Sequence, residues 1–147
     1  MSTTPTFGTP LIGQTEKALN SILDRELAGT NLTEPQWVTL TIAVMSGDSV
    51  ERDAFVSRVA ASLKIGDAQA GARVDELEAA GLLEAPDVDG AHLRVTDAGS
   101  QVHRRIRGEV VEITERMWGD LSPEDLAAAA RVLTTVLERA NAELGRA

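Results

Sequence analysis

Lys64, Gln69, Arg73, His92 and Arg94 are the side chains of this sequence best suited, by type and spacing, to grip a nucleic acid. A glutamine amide can bind adenine through two hydrogen bonds, whereas cationic side chains meet phosphate. On a helical wheel with Val74 turned inward, Ala68, Gln69, Ala72 and Glu76 lie outward, flanked by Arg73 and Asp75. Only Gln69 on that face reads bases well, because an alanine can do no more than meet a thymine methyl. Arg73 has two uses open to it, a phosphate contact from the edge of the helix or an intrahelical pair with Gln69 or Glu76. His92 and Arg94 alternate with Leu93 and Val95, which puts both on the polar face of a strand. Glu84, Asp87 and Asp89 stand close enough in sequence to compete with phosphate for them.

Charge works against this chemistry. The 147 residues carry a net charge of −9, and residues 48–97 alone hold five Lys/Arg against eleven Asp/Glu, a net of −6. A nucleic-acid-binding domain usually shows a basic footprint. The densest cationic run, His103-Arg104-Arg105-Ile106-Arg107, can touch a phosphate backbone or pair with Glu109 and Glu112 on a solvated face. Trp37, Met117 and Trp118 are large apolar side chains that can line a ligand pocket or simply pack a core.

Other chemistries find no support. The chain has no cysteine, which excludes thiol catalysis, disulfides and cysteine-held zinc or iron–sulfur sites. Its two histidines, His92 and His103, show no spacing expected of a catalytic triad or a zinc hydrolase, and there is no Gly-rich phosphate loop. An enzyme is not expected, nor a cofactor or metal. No apolar run approaches the roughly 20 residues that span a bilayer, and no leader pattern opens the sequence, so a soluble, cytoplasmic chain is expected, with no membrane partner.

The elements that must position these side chains follow from periodicity and punctuation. Residues 1–8 are small and polar and are expected to fray or form an arm. Leu11, Ala18, Ile22 and Leu27 recur at helical spacing, predicting a first helix over about 10–28 that ends near Gly29. Thr33 with Gln36 forms a capping-box pattern opening a second helix, whose Trp37, Leu40 and Val44 share a face and which runs to about Met45. After a GDS turn at 47–49, Phe55, Val56, Val59 and Leu63 mark a third helix ending near Lys64. Asp67 is placed to cap a fourth, with Ala70, Val74 and Leu77 inward and Gly81 at its end. Two short strands, LLEA and HLRV, flank a PDVDG turn and predict a hairpin. Thr96 can cap a long fifth helix carrying Val102, Ile106, Val110, Ile113 and Met117, ended by Gly119. Ser122-Pro123 opens a sixth, with Leu126, Ala130, Leu133, Leu137, Ala140 and Leu144 in a heptad-like seam.

This order of six helices with a hairpin between the fourth and fifth, with LTEPQW, VDELEAAGLL and LRVTDAG at the matching junctions, resembles the MarR family of bacterial regulators over about residues 9–145. The resemblance implies a mainly α fold with a small β-hairpin wing, a single domain over residues 1–147. Its winged helix-turn-helix would span about 32–97, between dimerisation helices at about 10–28 and 98–145. It implies a homodimeric, DNA-binding transcriptional regulator that reads a pseudo-palindromic double-stranded operator with the fourth helix and the wing. A small aromatic or acidic effector is implied as well. The stripes of the first, fifth and sixth helices are too wide to cover one another in a small domain, which independently favours a dimer through Leu11, Ile106, Leu126, Leu133, Leu137 and Leu144.

The sequence departs from that family's pattern at the reading surface. Basic residues usual in the family are replaced by Ala72 and Glu76 on the fourth helix, and by Glu84-Ala85 before a short tip, Pro86–His92, in the wing. The alternative expectation is therefore a winged-helix protein that has lost most DNA binding and serves as a protein-interaction or ligand-sensing module.

Overall fold

The computed structural model describes residues 4–146; Met1–Thr3 of the polar opening stretch lie outside the described residues. In chain order the elements are α1 (Thr9–Leu27), α2 (Glu34–Met45), β1 (Val50–Glu51), α3 (Arg52–Leu63), α4 (Asp67–Ala79), β2 (Leu83–Glu84), β3 (His92–Val95), α5 (Asp97–Trp118) and α6 (Pro123–Leu144). This is a mainly α fold with a small antiparallel sheet, as the periodicity predicts. The chain divides into two compact units, Met1–Val110 and Val111–Ala147, with the boundary inside α5.

Helix ends follow local chemistry. Thr33 and Gln36 make the full reciprocal capping box at α2, and the Ser122 hydroxyl accepts from Asp125 N–H at the start of α6. The Thr96 hydroxyl accepts from Gly99 N–H at 3.0 Å, opening α5. Gly81, at φ +78°, closes α4: its N–H bonds to Glu78 and that of Leu82 to Leu77, the paired bonds of a Schellman motif. One expected cap is displaced. Gly66 is the N-cap of α4 and provides no side-chain bond, while Asp67 lies in the first turn, where its carboxylate still faces the positive end of the helix.

The sheet has a strand that the pattern did not predict. Val50 pairs with Leu93 and Glu51 with His92, so β1 lies on one side of β3, and β2 pairs on the other through Leu83 with Val95 and Glu84 with Arg94. A two-residue strand is too short to show alternation. Glu51 also caps α3, its carboxylate accepting from Asp53 and Ala54 N–H.

The core of the first unit gathers Leu27 of α1, Leu40 of α2, Phe55 and Val59 of α3, Ala70, Val74 and Leu77 of α4, Leu83 and Leu93 of the sheet, and Ile106 of α5. Each large aliphatic or aromatic side chain so buried contributes about 1.5–3 kcal/mol. Ile106, expected at a dimer interface, is fully buried within one chain and belongs to this core. Its place, one helical turn from His103, which stacks on Trp37 of α2, and from Val110, keeps it on the inward face of α5. In the second unit, Leu126 is half-buried, whereas Leu133, Leu137 and Leu144 are exposed and α6 has no buried residue.

Candidate nucleic-acid interface

α4 presents Ala68 and Gln69 to solvent while Ala70, Val74 and Leu77 hold its other face in the core. Gln69, expected to read a base, is therefore exposed at the N-terminal end of the helix, where a major-groove helix makes its base contacts. Ala72 is half-buried, which narrows the outward face expected from the helical wheel. Lys64 ends α3 in the left-handed conformation, φ 59°, with its side chain exposed.

The cations near this face are engaged within the chain. Arg73 Nη2 donates to Glu76 Oε2 at 2.9 Å, and its Nε lies 2.8 Å from Oε1, so the intrahelical pair is the alternative adopted. Glu76 is held from a second side by Gln36, whose amide donates to Oε1 at 3.0 Å. That amide bond, and then Arg73, hold the Glu76 carboxyl below its ordinary range. Arg94 pairs with Glu84 directly across the β2–β3 ladder, and His92 Nδ1 meets Asp87. Asp89, the third acid expected to compete, instead accepts from Ala91 N–H and shapes the turn.

Arg52 is a structural cation that pattern reading passed over. Its N–H and Nε donate to the carbonyls of Ala91 and Gly90 in the hairpin, and its Nη1 lies 2.8 Å from Glu78 and 3.8 Å from Asp75 on α4. One guanidinium thus ties the wing tip to the C-terminal half of α4. The bond to Glu78 raises its already high pKa further. These partners lie 23 to 39 positions away, and no local signal marks them.

The wing joins α5 through a tight junction. The Thr96 hydroxyl donates to Gly81 O at 2.6 Å and its N–H to Leu82 O at 3.1 Å. A Cβ at Gly99 would come within 2.3 Å of Leu82 O and 2.8 Å of a Val95 methyl, so only glycine fits there. This is the physical content of the VTDAG sequence.

The cationic run at the start of α5 is split by the core. Arg104, Arg105 and Arg107 are exposed, but His103 is only 6% exposed and stacks on Trp37, with ring centroids 4.9 Å apart and planes inclined by 19°. Its Nε2 is buried without a hydrogen-bond partner. Burial, with Arg107 adding to it, pushes the imidazole pKa below its ordinary value. His103 is therefore a neutral core side chain and not part of a cationic patch. Beside it opens a cavity of about 440 Å³ lined by Val44, Asp97, Ser100, His103 and Arg104. Trp37 lies behind His103 and does not line this cavity, while Met117 and Trp118, half-buried and exposed respectively, belong to the second unit.

Among the described residues, no cluster of acids and histidines is arranged to hold a metal ion, and no helix is long and apolar enough to cross a membrane.

No protein-family model matches the sequence, and no curated protein matches it. Solved structures do match the fold. A MarR-family transcriptional regulator from Rhodococcus sp. RHA1 superposes with a TM-score of 0.70 at 18% identity, covering 86% of this chain and 89% of that one. CouR from Rhodococcus jostii RHA1, solved bound to p-coumaroyl-CoA, gives 0.73 at 18% identity over 86% and 88% of the two chains. NadR, solved in complex with 4-hydroxyphenylacetate, gives 0.73 at 21% identity over 91% and 98%. With helix-turn-helix, three-stranded wing and flanking helices in the same order, the chain has the winged-helix fold of the MarR-family transcriptional regulators.

Proposed function

We propose that the chain is a transcriptional regulator of the MarR type that binds double-stranded DNA as a homodimer, with α4 in the major groove and the β2–β3 wing beside it. The observation that carries this reading is the exposed N-terminal half of α4, with Gln69 outward, in a winged-helix frame like that of known regulators. The reading is non-enzymatic and needs no cofactor. Fluorescence anisotropy on the DNA upstream of the protein's own gene tests it. Gln69→Ala should cost about 1–3 kcal/mol, mainly at one base pair of each half-site. Equal loss on every sequence, or none, would remove α4 as the reading helix.

The cavity beside His103 supports a ligand-responsive regulator. Its volume and mixed lining suit a small aromatic compound carrying one acidic or phenolic group, with Arg104 and Ser100 as polar partners. A ligand of that kind, 4-hydroxyphenylacetate, is bound in NadR, while CouR was solved with the larger p-coumaroyl-CoA. Salicylate-like aromatics should perturb the fluorescence of Trp37 through its stack on His103, and Arg104→Ala should weaken the titration. Binding that leaves the Trp37 signal unchanged would place the effector elsewhere.

A second reading rests on the paired cations. Because Arg73, Arg94 and His92 are each matched to a carboxylate of the same chain, the winged helix can serve as an interaction module with little affinity for DNA. The two readings separate at low salt. Phosphate contacts give binding that tightens steeply as salt falls, and an interaction module gives none.

A further inference from the structure

Glu76 differs from the other acids near the reading surface in being held from two helices. Gln36 also completes the cap of α2: its carbonyl oxygen accepts from Thr33 N–H at 3.0 Å while its amide nitrogen donates to Glu76 Oε1 at 3.0 Å. The side chain that completes the capping box of α2 thereby fixes a carboxylate on α4. That carboxylate in turn accepts from Arg73 Nη2 at 2.9 Å and lies 2.8 Å from Nε, which is buried and makes no hydrogen bond. By contrast, Glu84 and Arg94 face one another across a single ladder rung.

We infer that Glu76 is a braced internal carboxylate that occupies Arg73 and so lowers the sequence-independent affinity of this surface for the DNA backbone. The inference rests on the DNA-binding reading above. A carboxylate and a phosphate compete for the same guanidinium N–H donors. An ordinary exposed glutamate competes weakly, since ordering its side chain costs entropy. Here Gln36 has already restricted that side chain, and the i, i+3 spacing places it beside Arg73 on the helix surface. A phosphate must therefore displace a preorganised partner. Base contacts by Gln69 involve neither Arg73 nor Glu76, so they keep their full value. The result is affinity lowered by the same factor on every duplex, with the discrimination made by Gln69 left as it is.

Glu76→Gln tests this, because it removes the charge while keeping a side chain of the same shape within reach of Gln36. Anisotropy is measured on a random-sequence duplex and on the upstream duplex, at several salt concentrations. Glu76→Gln should bind the random duplex several-fold tighter, up to about tenfold, with a log–log salt slope steeper by about 0.9 for each phosphate newly contacted. The gain should be equal on the upstream duplex, and it should vanish when Arg73→Ala is combined with it. Asp67→Asn, which removes one charge from the same helix without touching Arg73, should gain much less. If wild type binds DNA but Glu76→Gln gains no more than Asp67→Asn, or keeps its gain without Arg73, the inference fails while the DNA reading stands. If neither wild type nor Glu76→Gln binds any duplex at low salt, the DNA reading fails and takes this inference with it.

Discussion

Arg94 and His103 are both basic side chains near the wing, yet the structure gives them opposite work. Arg94 stands on the outward face of β3 opposite Glu84, where a phosphate can exchange for the carboxylate. Arg94→Ala should weaken binding to all sequences alike and flatten the salt dependence by about 0.9 per protomer; loss confined to one base pair would instead make it a base reader. His103 is packed against Trp37 and kept neutral by burial, with Arg107 opposing the charge further. Its folded pKa lies below the unfolded value of about 6.5. Above that pH both states are neutral and the residue leaves stability unchanged. As pH falls through it, the unfolded chain takes up the proton first, and stability declines until the folded pKa is passed. Urea unfolding of wild type and His103→Phe, followed by tryptophan fluorescence at pH 7.5 and pH 5, measures this. The wild type should lose more stability between the two conditions; parallel losses would mean that His103 is not the titrating group.

The junction of α4, the wing and α5 shows how much of the elements was legible. Gly81, Thr96 and the capping box at Thr33 and Gln36 act through neighbours a few positions away, so their signals are local and the sequence reading places them well. β1 was not legible because two residues carry no period, and Arg52 was not because its partners in the hairpin and on α4 are distant in sequence. His103 was readable in principle. It sits one turn before Ile106 on the apolar face of α5, but the arginines around it drew it into a charge pattern. Two predictions belong here. Gly99→Ala forces a Cβ against the Leu82 carbonyl, and overpacking of this kind costs about 1–3 kcal/mol, read as a lower urea midpoint. An unchanged midpoint would show that the junction yields freely. Arg52→Ala should leave the helices formed, by circular dichroism, while amides of residues 89–92 exchange faster, since the wing tip loses its tie to α4. Equal exchange in both proteins would deny Arg52 that role.

For the whole molecule the decisive features are a net charge of −9 and an α6 that buries none of its residues. Val132, Leu133, Val136, Leu137 and Leu144 are all exposed, with Leu137 at 56% and Leu144 at 70%. An exposed apolar stripe of that length is the mark of an interaction surface, and a second copy offers the same stripe in a self-complementary way. Because these leucines are already exposed in one chain, Leu133→Asp with Leu137→Asp should leave the first unit folded yet stop association, which light scattering would report as a monomer at micromolar concentration. An intact dimer of the double variant, or a monomeric wild type, would remove this seam. The consequence reaches DNA. If each protomer neutralises about three phosphates, the dimer's log–log salt slope is roughly −5, shallow beside that of strongly basic repressors. A folded monomer contacts one half-site, so its slope should fall to about half that value and its affinity should drop sharply at every salt concentration. A monomeric variant that keeps the dimer's slope would show that the two copies do not share the duplex, and that the acidic chain reads DNA one protomer at a time.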